Sequence, residues 1–330
     1  MISITEIPEQ KWLEAWKNGY KTTYFQSPEW FKLWEKLTHG SVSTAFSVTN
    51  QEGRELGILP VFSVAKFGIK QHHSSCASTY GGLIQSEDQQ HHLTPEQITE
   101  IGSHFNNLIW RIPPESAPKQ IDSEPDFGLK YDFTHRLDLS QGLDPIEKYW
   151  NKGKFGITKK IQEAKEAGVS VFPAKYPEEW DEYHELYIKN TKEWDPPPST
   201  VYSSRFFNEL SKSDAGYIKL WLAVSSDDQI IAGAVCLYSG SNCVYWHGAS
   251  SKEHYQSRPV HLLISAIVRD AIQQKLNFFD FNPSGGVKGV ERFKTSFGAE
   301  KYVSPVFNNR SGVLDKATGL RSFLKKFSRF

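Results

Sequence analysis

The residues best placed to do chemistry lie between Phe278 and Glu300, in the run Phe278-Phe-Asp-Phe-Asn-Pro-Ser-Gly-Gly-Val-Lys-Gly-Val-Glu-Arg-Phe-Lys-Thr-Ser-Phe-Gly-Ala-Glu300. An apolar strand ends on Asp280 and Asn282, a loop with Gly285, Gly286 and Gly289 follows, and a short helix carries Arg292, Phe293 and Lys294. Glycines let a backbone turn sharply and approach a ligand closely, and a helix N-terminus offers unpaired amides to negative charge. Lys294 adds a full positive charge. The same pattern also suits a surface turn with a solvated lysine.

Asp280 is positioned to accept a proton or to orient a polar group, or else to pair with a nearby cation as a structural residue. No Ser-His-Asp or Cys-His signature appears, so no covalent enzyme intermediate is expected.

The elements that must position these groups read as follows. Helices are expected at Lys11 to Asn18, at Ser27 to Leu37 with Ser27 as cap, and from Thr94 to about Trp110. Strands are expected at Ser43 to Val48, Glu55 to Val64 and Asp132 to Leu139, the last closing the first half. The second half repeats the order: helices at Pro145 to Ala167, Glu178 to Lys192 and Ser203 to Lys212, then strands Ile218 to Ser225, Ile230 to Ser239 and Cys243 to Ala249. A helix from His261 to Lys275 leads into the strand Phe278 to Asn282. Each half is thus mixed α/β with a helix-covered sheet. The prolines of Glu193 to Ser199 forbid helix there and make either a connector or a lid.

Composition bounds the class. A chain of 330 residues suggests two domains. The 38 Lys+Arg balance 38 Asp+Glu, so no global field draws it to DNA or membrane and any basic site is local. Three cysteines without metal or redox spacing favour a reducing compartment. With no leader pattern at Met1 to Gln10 and no apolar run near the roughly 20 residues that span a bilayer, a cytoplasmic protein is expected. His72-His73, His91-His92 and His104 lack ligand spacing, so no metal is expected.

Several pieces carry a resemblance: Gln26-Ser-Pro-Glu-Trp30, Tyr80-Gly-Gly82, the basic helix Lys159 to Gly168, Phe279-Asp-Phe281, and Arg292-Phe-Lys-Thr-Ser-Phe-Gly298. In this order, across nearly the whole chain, they resemble the FemAB family of peptidoglycan-bridge aminoacyltransferases. They are equally similar to the FemAB-like GNAT acyltransferases of envelope-polysaccharide loci. The resemblance implies an α+β fold of two tandem GNAT-like domains, each a mixed, mostly antiparallel sheet flanked by helices: residues 1–140, residues 141–304 with the active site, and a tail, 305–330, packing back on the first. It also implies that an amine of a cell-wall or polysaccharide precursor attacks an acyl carbonyl delivered by aminoacyl-tRNA or acyl-CoA, with no tightly bound cofactor. The family's Phe-Lys pair falls on Phe293 and Lys294. By that carry-over Lys294 stabilises the oxyanion and Phe293 shapes the acceptor channel.

The donor is less plain. GNAT enzymes hold CoA pyrophosphate on a glycine-rich loop before a helix, but Tyr255-Gln-Ser-Arg-Pro-Val-His-Leu262 has no glycine, and Pro259 lacks an N-H. Arg258 is left as a phosphate contact. Around Lys148 to Lys160, lysines including Lys159 and Lys160 alternate with Tyr149, Trp150 and Phe155, a pattern suited to tRNA, to a pyrophosphate-linked acceptor, or simply to a solvated helix face. Trp246, His247 and Tyr255 line an acceptor pocket or pack as rim. The candidate substrate-binding set is therefore Arg292, Tyr80, Gly81, Lys159, Lys160, Trp246, Tyr255, Arg258, Asn282, Gly285 and Gly286, beside the catalytic candidates Lys294, Phe293 and Asp280. The basic, amphipathic Leu320 to Phe330 suits peripheral contact with the inner membrane face or docking on the first domain. A noncatalytic binding protein on the same fold is the third reading.

Overall fold

A computed structural model describes residues 1–66, 68–89, 92–118, 128–193, 200–213 and 216–310. The chain divides into two compact units, Met1–Phe133 with the segment returning at Val303, and Thr134–Tyr302. The first contains β1 (Ser3–Ile7), α1 (Glu9–Asn18), α2 (Pro28–Leu37), β2 (Val42–Thr49), β3 (Glu55–Lys66), β4 (Ile69–His73), α3 (Pro95–Ser103), β5 (Leu108–Arg111) and β6 (Leu129–Lys130). The second contains β7 (Phe133–Asp138), α4 (Leu143–Lys152), α5 (Ile157–Glu166), β8 (Ser170–Pro173), α6 (Pro177–Thr191), α7 (Ser204–Ser211), β9 (Ile218–Val224), β10 (Ile230–Ser239) and β11 (Asn242–Ser250). It continues with α8 (Pro259–Gln273), β12 (Phe278–Asp280), α9 (Lys288–Ser296) and β13 (Glu300–Val303), and the chain returns as β14 (Val306–Asn308) in the first sheet.

Among the described residues each unit is built on one seven-stranded sheet, ordered β1-β2-β3-β4-β5-β14-β6 and β13-β7-β12-β11-β10-β9-β8. Both are mostly antiparallel with one parallel step, β4 on β5 and β11 on β12. A parallel pair needs a crossover, and the helices α3 and α8 supply it in the two units. The fold is α+β, two mixed, mostly antiparallel sheets flanked by helices.

Caps explain many of the boundaries. The Ser27 hydroxyl accepts from Trp30 N at 3.1 Å and Pro28 takes the first position of α2, while Thr94 and Gln97 form a reciprocal capping box that opens α3. Ile146, Trp150, Ile157 and Ile161 bury against Leu263, Ile267 and Phe279 in the core of the second unit.

Three expectations are corrected. The helix from Thr94 stops at Ser103, because Asn107 enters the left-handed region at φ 60 and the apolar run Leu108–Arg111 becomes a central strand. The helix from Pro145 to Ala167 is two helices, divided where Gly156 takes φ 59. The strand near Asp132 does not close the first half: β7 pairs with β12 in the second sheet, Arg136 opposite Asp280. Trp194–Ser199, the center of the proline-rich connector, His91, and the basic tail from Leu320 lie outside the described residues.

Candidate active site at the parting of β11 and β12

In the second unit β11 is nine residues long but pairs with β12 only through Asn242, Cys243 and Val244. Beyond Val244 the two strands part, because β12 ends at Asp280 while β11 runs on to Ser250. Because β7 runs antiparallel to β12, its start at Thr134 and His135 lies at the same end of the sheet as Phe281 and Asn282, with Phe281 N donating to His135 O. The residues at this end therefore converge from β7, the segment after β12, and the second half of β11.

Asp280 is fully buried, and both its oxygens are engaged. Oδ2 accepts from Arg136 Nε at 2.6 Å, and Oδ1 accepts from Thr134 Oγ1 at 2.6 Å and from Asn282 N at 2.7 Å. Arg136 is itself 2% exposed and lies over the rings of Phe278 and Tyr302. A carboxylate so held fixes the strand end; of the two roles open to Asp280, the geometry favours the structural pair over the proton acceptor.

Lys294, on α9, is 5% exposed, and its Nζ donates to Asn282 O. Asn282 sits at φ 62, a strained conformation for a residue with a side chain, which turns that carbonyl toward the lysine. The side-chain Oδ1 of Asn282 and Oγ of Ser284 are withdrawn from water without a hydrogen-bond partner, as is Nδ1 of His135. Burial, and next the charge of Lys294, push the His135 pKa below the usual imidazole value. A neutral imidazole and a cation thus stand in one electrostatic neighbourhood at the strand ends.

Phe293 leans on His261 and Phe297, with ring centroids 5.8 and 5.3 Å away, so it forms part of the core wall. Arg292, Gly285 and Gly286 are exposed, and the two glycines take φ 57 and 76 in open space. Lys159 is 82% exposed and lies 3.9 Å from Glu163, which also receives Arg258 Nε at 3.3 Å. Lys160 and Arg258 lie close enough to His261 that, after burial itself, their charges help press its pKa down to about 4.

The connection from β11 to α8 is a 3-10 helix, Lys252–Ser257, that bears Tyr255 on the surface and ends on Arg258 at φ 52. Arg258 N donates to Tyr255 O, His261 N donates to Arg258 O, and Pro259 has no N-H. Few amides are left there for a pyrophosphate.

On β11, Val235 faces His247 while Cys236 faces Tyr245, so Trp246 is the extra residue of a bulge. Trp246 is half-buried and packs near Tyr202 and Phe206. His247 is buried against α6 and α7. Tyr80 and Gly81 belong to the first unit. Tyr80 is buried against Phe25, and Gly81 N donates to Arg111 O, so close to Ser74 that a Cβ would meet its carbonyl oxygen at 2.1 Å. Gln26 Nε2 donates to Gly82 O at 3.3 Å, joining two of the resembling motifs within that unit.

Sequence reasoning passed over Thr134, His135 and Arg136. Their signal was a histidine and an arginine inside the otherwise apolar strand Phe133–Asp138.

Residues 152–295 match the family described as acetyltransferase (GNAT) domain. The second unit carries a GNAT domain. No curated protein matches the chain by sequence. Among solved structures the chain is similar to FemX, at 13% identity and a TM-score of 0.65, covering 93% of this chain and 98% of that one. A conserved protein from Bacteroides thetaiotaomicron VPI-5482 matches at 10% identity and 0.55, with 93% and 98% covered. L-PGS from Bacillus licheniformis matches at 12% and 0.52, with 89% and 96% covered. At such identities these likenesses show a shared fold, the one that the FemAB-like resemblance implies. The GNAT domain supports an N-acyltransferase. Among the described residues no helix is long and apolar enough to cross a membrane.

Proposed function

We propose that the chain transfers an activated acyl group to an amine of a cell-envelope precursor by direct attack. The observation that carries this is a buried cation, Lys294, beside the buried neutral His135 at the parting of β11 and β12 within a GNAT domain. The amine nitrogen attacks the carbonyl carbon, and the carbonyl π pair moves to oxygen, where Lys294 lowers the energy of the negative charge. Collapse re-forms the carbonyl and expels the leaving atom with its bond pair. One amine proton passes to His135 and on to the leaving group. Asp280 acts indirectly, by fixing Asn282 and the strand end.

The cell-envelope acceptor follows from the FemAB-like resemblance. For the donor, the internal satisfaction of the Arg258 and His261 amides and the Arg258 to Glu163 ion pair favour aminoacyl-tRNA over CoA held in the usual pose. The GNAT domain match favours acyl-CoA.

Thermal unfolding of the purified protein with acetyl-CoA or with charged tRNA decides between them. A donor at one hundred times its Kd stabilises the fold by about 2.7 kcal/mol. With the donor in hand, Lys294→Ala is expected to lose roughly a hundredfold to a thousandfold in kcat. Unchanged turnover would refute the assignment and leave a binding protein.

A further inference from the structure

His247 and Tyr183 form a pair that the acyl-transfer scheme does not use. Tyr183 Oη and His247 Nδ1 are 2.6 Å apart, and Nε2 of His247 is out of water with no hydrogen-bond partner. The histidine is 9% exposed. Tyr187, Tyr202, Phe207 and Trp246 surround it, with ring centroids 4.5 to 5.7 Å away.

The proton on this pair can be placed. Burial pushes the Tyr183 phenol well above its usual range and presses His247 down to about 3, so at neutral pH both are uncharged. If Nδ1 carried the imidazole proton and gave it to the phenol oxygen, both the phenol O-H and the Nε2 lone pair would be left unpaired. If the phenol donates to Nδ1, a single orphan remains, the Nε2-H. Since each buried unpaired polar group costs about 1–3 kcal/mol, the second arrangement is favoured.

An N-H donor is thus held without an acceptor, on the strand that parts from β12 and one residue after the bulge at Trp246. An anion here would lose its hydration among aromatic rings and gain only a neutral donor, so the matching group is an uncharged oxygen. The aromatic rings suit the flat, weakly polar body of an amide or thioester.

We infer that His247, held by Tyr183, is a substrate-binding residue whose Nε2-H donates to an uncharged carbonyl oxygen of an acyl-bearing substrate. This rests on the acyl-transfer reading for the substrate class, but its test does not depend on turnover. The carbonyl belongs either to the acyl donor or to an N-acylated acceptor, and two probes separate these sources.

The experiment is nitrogen-15 histidine NMR on the full chain, titrated with acetyl-CoA and, separately, with UDP-N-acetylglucosamine. The free protein is expected to show His247 as the Nε2-H tautomer from pH 5 to 8. A probe that binds should shift the Nε2-H proton downfield. A response to acetyl-CoA alone assigns the site to the donor, and a response to the sugar nucleotide alone assigns it to the acceptor. His247→Phe should weaken the responding probe at least tenfold. Tyr183→Phe, which keeps the ring, should lose the fixed tautomer and weaken the same probe. The Nδ1-H tautomer, no response to either probe, or undiminished binding by both variants would overturn the inference. Turnover of Lys294→Ala tests the acyl-transfer reading, whereas the tautomer of the free parent protein and its probe response test this one, so the two readings fail separately.

Discussion

Arg136 Nε and Asp280 Oδ2 face each other at 2.6 Å across neighbouring strands, one residue 2% exposed and the other wholly enclosed. Taking two charges out of water is costly, and the pair persists because the remaining carboxylate oxygen is also satisfied, by Thr134 and by the amide of Asn282. The strand end that presents Asn282 to Lys294 is therefore anchored from β7.

Removing one partner should cost far more than removing both. Arg136→Ala leaves Asp280 charged and enclosed and is expected to destabilise the second unit by about 3–5 kcal/mol, whereas Arg136→Met with Asp280→Leu should recover much of that loss. Urea unfolding of the two variants checks the difference.

His135→Gln is expected to lower kcat by roughly a hundredfold to ten-thousandfold if the imidazole accepts the amine proton. Burial and Lys294 lower its pKa, with Lys301 acting the same way and Glu291 and Asp280 opposing. The acid limb of the pH profile of kcat/KM should therefore lie below about 6.5 and disappear in the variant. A profile identical to the parent would exclude the role.

Stability should fall as pH drops below neutral. His247 and His261 have folded pKa values of about 3 and about 4, against 6.5 in the unfolded chain. Between those values the unfolded state binds more protons, so each histidine withdraws up to about 1.4 kcal/mol per pH unit as pH falls, and the effect is absent above about 6.5. Urea midpoints between pH 7 and 4 measure it, and His261→Phe should flatten the slope.

Gly233 on β10 stands against Tyr183, where an added Cβ would lie 2.6 Å from the ring. Gly233→Ala must push the tyrosine aside and is expected to cost about 1–3 kcal/mol. It should also disturb the His247 imidazole signals, while Gly289→Ala, where the added Cβ meets nothing within 4 Å, should leave them unchanged.

Much of both units was legible in the chain because their elements are local: in the second the strands at Ile218, Ile230 and Cys243 are continuous apolar runs, and in the first the caps Ser27 and Thr94 announce their helices. Lys294 stood out for the same reason, beside a glycine loop. Pairing is not local. Nothing within Phe133–Asp138 names β12 as its partner, so neither the Arg136 to Asp280 pair nor the place of His135 could be read. The overlong helix from Thr94 failed similarly, since Phe105, Leu108 and Trp110 are apolar in either geometry and only the turn at Asn107 decides.

The passage of the chain out through β7 and back after β13 has one more implication. Those two strands are immediate neighbours in the second sheet, so that unit is entered and left at a single edge. It has the form of an insert, and joining its ends directly would need only a short splice. Residues 134–302 are accordingly the natural piece to transplant, permute or express alone, whereas a cut at residue 140 would strip β7 from its sheet and leave the carboxylate of Asp280 without its counter-charge.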